Sequence, residues 1–276
     1  MRRLTLFLKG NVDLYDSLHS CRIGGKLCWN GVNEIVRTRY PGVSIRMRHE
    51  TSTSSEALLE ATGSVPVELS DCSAPLGAYP LESQFSTKVF ETDADVIVMS
   101  VMPEIATRLV RHQRAGFPFY PNSAGSWPAH EQEWLRREFV ETAPLTVEQS
   151  MGNLEKIVDR IRERSQAPIL IYNLSFVMPG EHIHCHLGLD EVFSTAVRRF
   201  NLGLIELSAK TGVSIVDVDA VLARAGADGL KIDAMHLSPE GCRLVAEDVV
   251  RILCDLGLFE ADAPPTERRL DACEQA

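Results

Sequence analysis

The chain has 276 residues, 45% of them hydrophobic and 24% charged, which is ordinary for a globular protein with a sizeable core. Its formal net charge of −10 argues against nucleic acids and anionic membranes as partners. The sequence contains no apolar stretch long enough to span a bilayer. The seven cysteines are scattered and form no C-x-x-C pair, so we predict reduced thiols in a cytoplasmic protein.

The first apolar run covers residues 4–8 and follows two arginines. Basic residues before an apolar run are also how a signal peptide begins. The run is too short for one, and it meets Lys9 without a small-residue cleavage site. We therefore predict a buried central strand over 4–8. Gly10 and Asn11 form the turn at its C-terminal end, where open α/β sheets bind their ligands.

Strands and helices alternate along the rest of the chain. Periodicity and turn signals predict helices over 29–39, 56–61, 146–164, 190–210 and 242–254, and strands over 43–47, 94–100, 167–174 and 212–218. This order predicts an α/β protein: a three-layer α/β/α sandwich with a mostly parallel sheet, of flavodoxin-like type. We expect a single domain over 1–260, a glycine-containing loop over 222–231 and a frayed tail over 261–276.

An aromatic, turn-rich segment covers about 113–135. Long segments of this kind are often functional, so we interpret it as a lid-like insertion over the cleft. A hydrophobic plug that packs on the core is the alternative. Asn122 lies in this segment and could donate a hydrogen bond to a substrate from there.

Three histidines alternate along one short stretch, at His182, His184 and His186. In an extended strand they point to one side, a spacing that can ligate zinc or another transition metal. The outer two start roughly 13 Å apart, too far for one tetrahedral centre unless the strand bends. Two of them with Glu181 or Asp190 form the more feasible set. We expect no tightly bound metal, and a polar patch at the substrate entrance or a solvated turn is the alternative.

The clearest chemical signal is Asp233, three residues before His236. One helical turn separates them, so the acid can orient the imidazole and stabilise its charged form while the imidazole acts as a general base. Ser238, Pro239 and Glu240 are typical of a helix start, which places both residues on a loop just ahead of a helix. The alternative is a surface Asp and His that only decorate a helix entrance.

The segment D-A-M-H-L-S-P-E-G, followed by a helix with Ala246, resembles the last conserved block of the SGNH (GDSL-like) hydrolases. The helix from Phe200 and the strand that leads to Asp217 are similar to the elements before that block in the family. A weaker resemblance extends over most of the chain. It implies an SGNH-type fold, with Asp233 as the orienting acid, His236 as the base and a serine nucleophile near the N-terminus.

The expected Gly-Asp-Ser motif is off-pattern in this sequence. Aligned on the first strand, Gly10, Asn11 and Val12 fill its place, and the nucleophile position is valine. Aligned on the residues, Asp16 and Ser17 fit but lie five residues later. Either Ser17 is a displaced nucleophile or the serine has been lost.

The family's oxyanion donors are altered as well. The loop around Ser52 lacks the expected glycine, so only its backbone N–H can be carried over. The strand over 94–100 ends in Ser100 and lacks the following Gly-x-Asn-Asp motif. The candidates for oxyanion or substrate binding are therefore Gly10, Asn11, Ser52, Ser100 and Asn122.

Together these patterns predict a hydrolase or acyltransferase that acts on an acyl ester, thioester or amide. Ser17, His236 and Asp233 are its expected catalytic residues, its substrate is a small acyl compound, and no cofactor is implied. The first alternative is a protein of this fold that only binds a ligand in the cleft. The second is a metal-assisted hydrolase that uses His182, His184 and His186. The oligomeric state stays open.

Overall fold

A computed structural model describes residues 2–181 and 192–259. Its central sheet has five parallel strands in the order β5-β4-β3-β1-β2. They are β1 Arg2–Lys9, β2 Val43–Glu50, β3 Val96–Ser100, β4 Ile169–Tyr172 and β5 Ser214–Val216. The predicted flavodoxin-like sheet is confirmed, and its C-terminal edge gathers the segments that follow each strand.

Seven helices accompany the sheet in the described part of the chain. They are α1 Val32–Arg39, α2 Ser55–Glu60, α3 Ala129–Glu138, α4 Val147–Arg162, α5 Phe193–Thr211, α6 Val218–Ala225 and α7 Pro239–Asp255. Shorter helical segments are Val12–Leu14, the π-helical turn Tyr15–His19, Leu81–Gln84 and Met102–Ala106, with 3₁₀ turns at Val67–Leu69, Lys88–Phe90, Ala124–Ser126 and Ala227–Leu230.

The two sheet faces bury separate cores because side chains alternate along each strand. Leu6 and Leu8 pack with residues of α1 and α7 on one face. Phe7 packs with residues of α4 and α5 on the other. The sheet is therefore covered by helices on both sides, as the three-layer prediction requires.

Helix starts follow the predicted capping chemistry. Thr146 caps α4 in a reciprocal capping box with Gln149. The Ser238 hydroxyl accepts from the N–H of Gly241 at 3.2 Å, and Pro239 opens α7. These residues fix where α7 begins, directly after the loop that carries Asp233 and His236.

The predicted loop over 222–231 is wrong. Helix α6 runs through its first part because Asp217 caps it, accepting from the N–H of Ala220 at 3.1 Å. Gly226 ends α6 in the left-handed region at φ 87°, where glycine is favoured. The glycine signal marks a helix C-terminus followed by a 3₁₀ turn.

The aromatic insertion forms a small unit with its own core. Strands Val110–His112, Pro118–Phe119 and Phe139–Glu141 make a three-stranded antiparallel sheet beside α3. Phe119 and Trp127 pack with Leu69 and Phe85 from an earlier part of the chain. The segment is thus held by a third hydrophobic cluster.

The predicted tail over 261–276 lies outside the described residues. None of the helices in the described ranges is long and apolar enough to span a membrane.

Candidate active site

The structure brings Asp233 and His236 together at the C-terminal edge of the sheet. The Nδ1 atom of His236 lies 2.9 Å from Oδ2 and 3.0 Å from Oδ1 of Asp233. A carboxylate can only accept a hydrogen bond, so Nδ1 carries the proton and Nε2 keeps its lone pair. The His236 side chain is 47% exposed, so that lone pair can serve a substrate from solvent.

The Asp233 carboxylate is locked by its own loop. The backbone N–H groups of Met235 and His236 each donate to Oδ1 at 2.8 Å. Partial burial acts to raise the pKa of Asp233, but these N–H groups and the imidazole outweigh it and lower that pKa. Asp233 is therefore ionised at neutral pH and orients the imidazole.

A buried lysine ties this loop to the neighbouring strand end. The Lys231 ammonium donates to the carbonyl oxygens of Ala234 and Ser175, each at 3.3 Å. Burial lowers the pKa of Lys231 to about 8, although Asp233 and Asp219 act in the opposite direction. Lys231 thus links the loop of the dyad to the segment after β4.

A second carboxylate, Asp16, is coupled to His236. Asp16 is half-buried in the turn Tyr15–His19, which packs against α7. Burial raises the pKa of Asp16 to about 6, and the attraction of His236 opposes that rise. Asp16 is therefore a second carboxylate, and His236 acts on its pKa.

Ser17 lies in the interior of the protein. Its side chain is fully buried, and its hydroxyl donates to the carbonyl oxygen of Asp13 at 2.6 Å and lies 3.3 Å from the Tyr172 hydroxyl. No hydrogen bond links Ser17 to His236 in the residues that the structure describes. The expected nucleophile is therefore out of reach of a substrate in this conformation.

The place of the family's serine is apolar. Val12 follows Gly10 and Asn11 after β1, and its side chain packs against the core beneath α4 and α5. The next residue, Asp13, is buried and accepts hydrogen bonds from the Ser100 hydroxyl and the Asn11 N–H. Burial raises the pKa of Asp13, and the Ser100 hydrogen bond acts against it. A buried acid therefore occupies the start of the helical segment after β1.

The expected oxyanion donors of the first two strand ends are bonded within the protein. The N–H of Gly10 donates to the Glu50 carbonyl at 3.2 Å, and the N–H of Ser52 donates to Asn11 Oδ1 at 3.3 Å. The Ser100 hydroxyl donates a hydrogen bond to the Asp13 carboxylate. An oxyanion at this edge has to compete with these bonds.

Asn122 holds its own loop. Its Nδ2 atom donates to the carbonyl oxygen of Leu76 at 3.1 Å, and its backbone oxygen accepts from the Trp127 indole at 2.9 Å. These contacts join the insertion to the chain before Leu81–Gln84. In this structure Asn122 fastens the insertion in place.

A cleft of about 430 Å³ opens beside Asn11 and Val12. It is lined by these two residues, by the end of β2, by Tyr15 and by residues 78–80. Its volume falls in the range of small-molecule sites. A larger groove of about 870 Å³ runs between α4 and α5, but its lining comes from these helices and the turn before α4. The smaller cleft is the one at the C-terminal edge of the sheet, and neither Asp233 nor His236 is among its lining residues.

The histidines His182, His184 and His186 lie outside the described residues, so their metal-binding capacity stays a prediction. Among residues 2–181 and 192–259, no cluster of three or more His, Cys, Asp or Glu side chains is arranged to hold a metal ion.

Sequence reasoning missed Asp13, Asp16 and Lys231 as parts of the site. The two acids lie three residues apart directly after the first strand, which is a readable signal. Lys231 carries no such signal, because an isolated lysine on a loop is ordinarily solvated. Only its contacts with Ser175 and Met178, in the segment after β4, show that it is buried.

We predict that Asp16→Asn changes the pH dependence of any reaction that protonates His236. Above about pH 6 the Asp16 carboxylate is ionised and stabilises an imidazolium. The variant is therefore expected to lose about two- to fivefold in kcat/KM near pH 8, the scale of a solvent-screened charge pair, and little near pH 5. A ratio of wild type to variant that stays constant from pH 5 to pH 8 contradicts this role.

The same substitution is expected to lower activity but to raise the stability of the fold at neutral pH. The pKa of Asp16 is higher in the folded chain than in the unfolded one, so stability falls as pH rises from about 4 to about 6. Asparagine removes this dependence, and Asp16→Asn is expected to unfold at higher denaturant than wild type at neutral pH. Chemical denaturation at about pH 5 and pH 7 measures the difference.

Comparison with solved structures identifies the class of fold. The chain is similar to a lipase/acylhydrolase from Enterococcus faecalis, with a TM-score of 0.51 and 12% identity over 96% of this chain and 100% of that one. It is also similar to a GDSL-like lipase from Parabacteroides merdae, with a TM-score of 0.50 and 11% identity over 91% and 95% of the two chains. An acetylxylan esterase from Geobacillus stearothermophilus gives a TM-score of 0.50 and 11% identity over 91% and 93%.

These likenesses show the fold. The chain has the three-layer α/β fold of GDSL-like lipases and acetylxylan esterases, as its last motif predicted. No protein-family model matches the sequence, and no curated protein matches it.

Proposed function

We propose that this chain is an acyl-ester hydrolase in which His236, oriented by Asp233, is the general base. The observation that carries the proposal is the contact of 2.9 Å between His236 Nδ1 and Asp233 Oδ2 at the sheet edge where α/β folds bind ligands. The exposed imidazole, the cleft of about 430 Å³ near the same edge and the likeness to esterase folds support it.

Water is the nucleophile in this proposal. Nε2 of His236 takes a proton from a water molecule, and the resulting hydroxide attacks the ester carbonyl carbon to give a tetrahedral intermediate. The intermediate collapses with cleavage of the C–O bond, and the imidazolium returns its proton to the leaving alkoxide. The products are a carboxylic acid and an alcohol. An alcohol in the place of water makes the same machinery an acyltransferase.

Water is preferred to Ser17 because Ser17 is buried and its hydroxyl already donates to Asp13. We expect Ser17→Ala to keep its ester turnover and to lose about 1–2 kcal/mol of stability, since the Tyr172 hydroxyl loses a neighbour. The assay is hydrolysis of short and long acyl esters and thioesters, together with chemical denaturation. A folded but inactive Ser17→Ala, or a fluorophosphonate adduct on Ser17, makes the serine the nucleophile.

A second candidate function is ligand binding without turnover. It is favoured by the internal bonding of the expected oxyanion donors and by the valine in the nucleophile place. The ester panel separates the two: a wild-type rate equal to that of His236→Ala on every ester supports the binding protein.

We further propose a small acyl compound as the substrate and a reducing, cytoplasmic setting, the latter supported by five unpaired thiols among the described cysteines.

A further inference from the structure

Aromatic rings line the cleft of about 430 Å³. The Tyr15 ring is stacked on His19, with centroids 4.8 Å apart and planes at 16°, and it is tilted against His49 at 5.7 Å. Tyr79, from residues 78–80, is held edge-on by Tyr120 at 4.8 Å. Tyr15, His49 and Tyr79 all face the cleft, so much of its wall consists of fixed ring surface.

Two polar groups of the cleft wall, Glu50 and Thr51, are already bonded within the protein. Glu50 is ion-paired with Lys9 at 3.4 Å and with Lys88 at 3.1 Å. The Thr51 hydroxyl donates to the Ser83 hydroxyl at 3.1 Å. A charged guest finds no free countercharge among these groups, and it loses its hydration on entry.

Two further titratable groups of the wall, His49 and Tyr79, are uncharged at neutral pH. Burial lowers the pKa of His49, whose Nε2 lies 3.0 Å from the Gly10 carbonyl oxygen. Burial raises the pKa of Tyr79 to about 12. The wall therefore offers neutral rings and apolar groups such as Val12.

The size of the cleft sets the size of the guest. A dry cavity of about 150 Å³ is enough for benzene, so a cleft of about 430 Å³ accommodates two fused rings. Flat guests gain most here, because aromatic pairs prefer offset-stacked and edge-to-face contacts with rings that are held in place.

We propose that this cleft binds a neutral aromatic group of up to two fused rings through Tyr15 and Tyr79. In the proposed hydrolase this group is the aryl part of the ester, and that assignment rests on the proposed function. Tyr15 faces the cleft, and the turn Tyr15–His19 that carries it packs against α7, the helix that follows the dyad. The binding itself does not depend on turnover.

The test compares 2-naphthol with decahydro-2-naphthol, which has the same skeleton without the aromatic rings. By calorimetry, both wild type and His236→Ala are expected to bind 2-naphthol about tenfold more tightly than decahydro-2-naphthol. Tyr15→Leu is expected to lose about five- to tenfold of that affinity, whereas Tyr15→Phe keeps the ring and the affinity. Tyr40→Leu, at a ring that stacks on Phe259, is the control and leaves binding unchanged.

Equal affinities for the two naphthols, or unchanged 2-naphthol binding in Tyr15→Leu, overturn the inference. Hydrolysis of 2-naphthyl acetate is measured in parallel. Binding of 2-naphthol without hydrolysis supports the aromatic site and counts against the proposed function. Equal hydrolysis of 2-naphthyl acetate and of the acetate of decahydro-2-naphthol supports the proposed function and counts against the aromatic site.

Discussion

His236→Ala is expected to lower the hydrolysis of acyl esters by about 10²-fold or more, because general-base catalysis contributes on this scale. The imidazole is held by Asp233 and exposed to solvent, so its removal leaves a folded chain without a base at the sheet edge. Initial rates on the most rapidly hydrolysed ester of the panel, with unfolding followed separately, measure the effect.

His130→Ala is the matched control. His130 is exposed on α3, outside the strand ends, and contacts Glu131 at 3.7 Å. Its replacement is expected to leave the rate unchanged. A His236→Ala chain that hydrolyses the ester as fast as His130→Ala removes His236 from the chemistry.

Gly31→Ala is expected to destabilise the fold by at least about 3 kcal/mol, the scale of a severe backbone conflict. Gly31 has φ 78°, and a Cβ atom there lies 2.2 Å from the His19 carbonyl oxygen and 2.4 Å from that of Leu18. Both carbonyls belong to the turn Tyr15–His19, so the backbone that carries Asp16 must move. Denaturant unfolding, monitored by circular dichroism, gives the loss.

Gly25→Ala separates the clash from the cost of the backbone conformation. Gly25 has a nearly equal φ of 80° in the turn between Cys21–Ile23 and Lys26–Trp29, and a Cβ atom there meets nothing within 4 Å. Its replacement is expected to cost only about 1–2 kcal/mol. Equal losses for the two variants contradict the role of the contact between Gly31 and this turn.

The fold was predictable because its signals are local and repeated. The alternation of Leu6, Phe7 and Leu8 between two cores follows from the period of a strand, and the apolar residues of α7 follow from the period of a helix. Caps such as Ser238 mark where the helices begin. α6 is an exception, because one glycine at its end gave the impression of a loop. The helix predicted from Trp29 is another, because Trp29 ends a strand and the helix begins at Val32.

The dyad was predictable for the same reason, since three residues of spacing decide the contact between Asp233 and His236. The role of Ser17 was not, because the sequence cannot show a π-helical turn that directs the hydroxyl inward to Asp13. Lys231 and the aromatic cleft depend on contacts between residues that lie far apart in the chain. Such contacts leave no period and no local motif.

The most direct test of His236 as the base is chemical rescue of ester hydrolysis in His236→Gly. Asp233 stays in place in this variant, and the space left by the imidazole ring can accept imidazole from solution. We predict that the variant retains about 1% or less of the wild-type rate and that added imidazole restores turnover in a saturable manner. Equal rates of wild type and His236→Gly, with imidazole acting no better than it does on the ester in free solution, contradict the proposal.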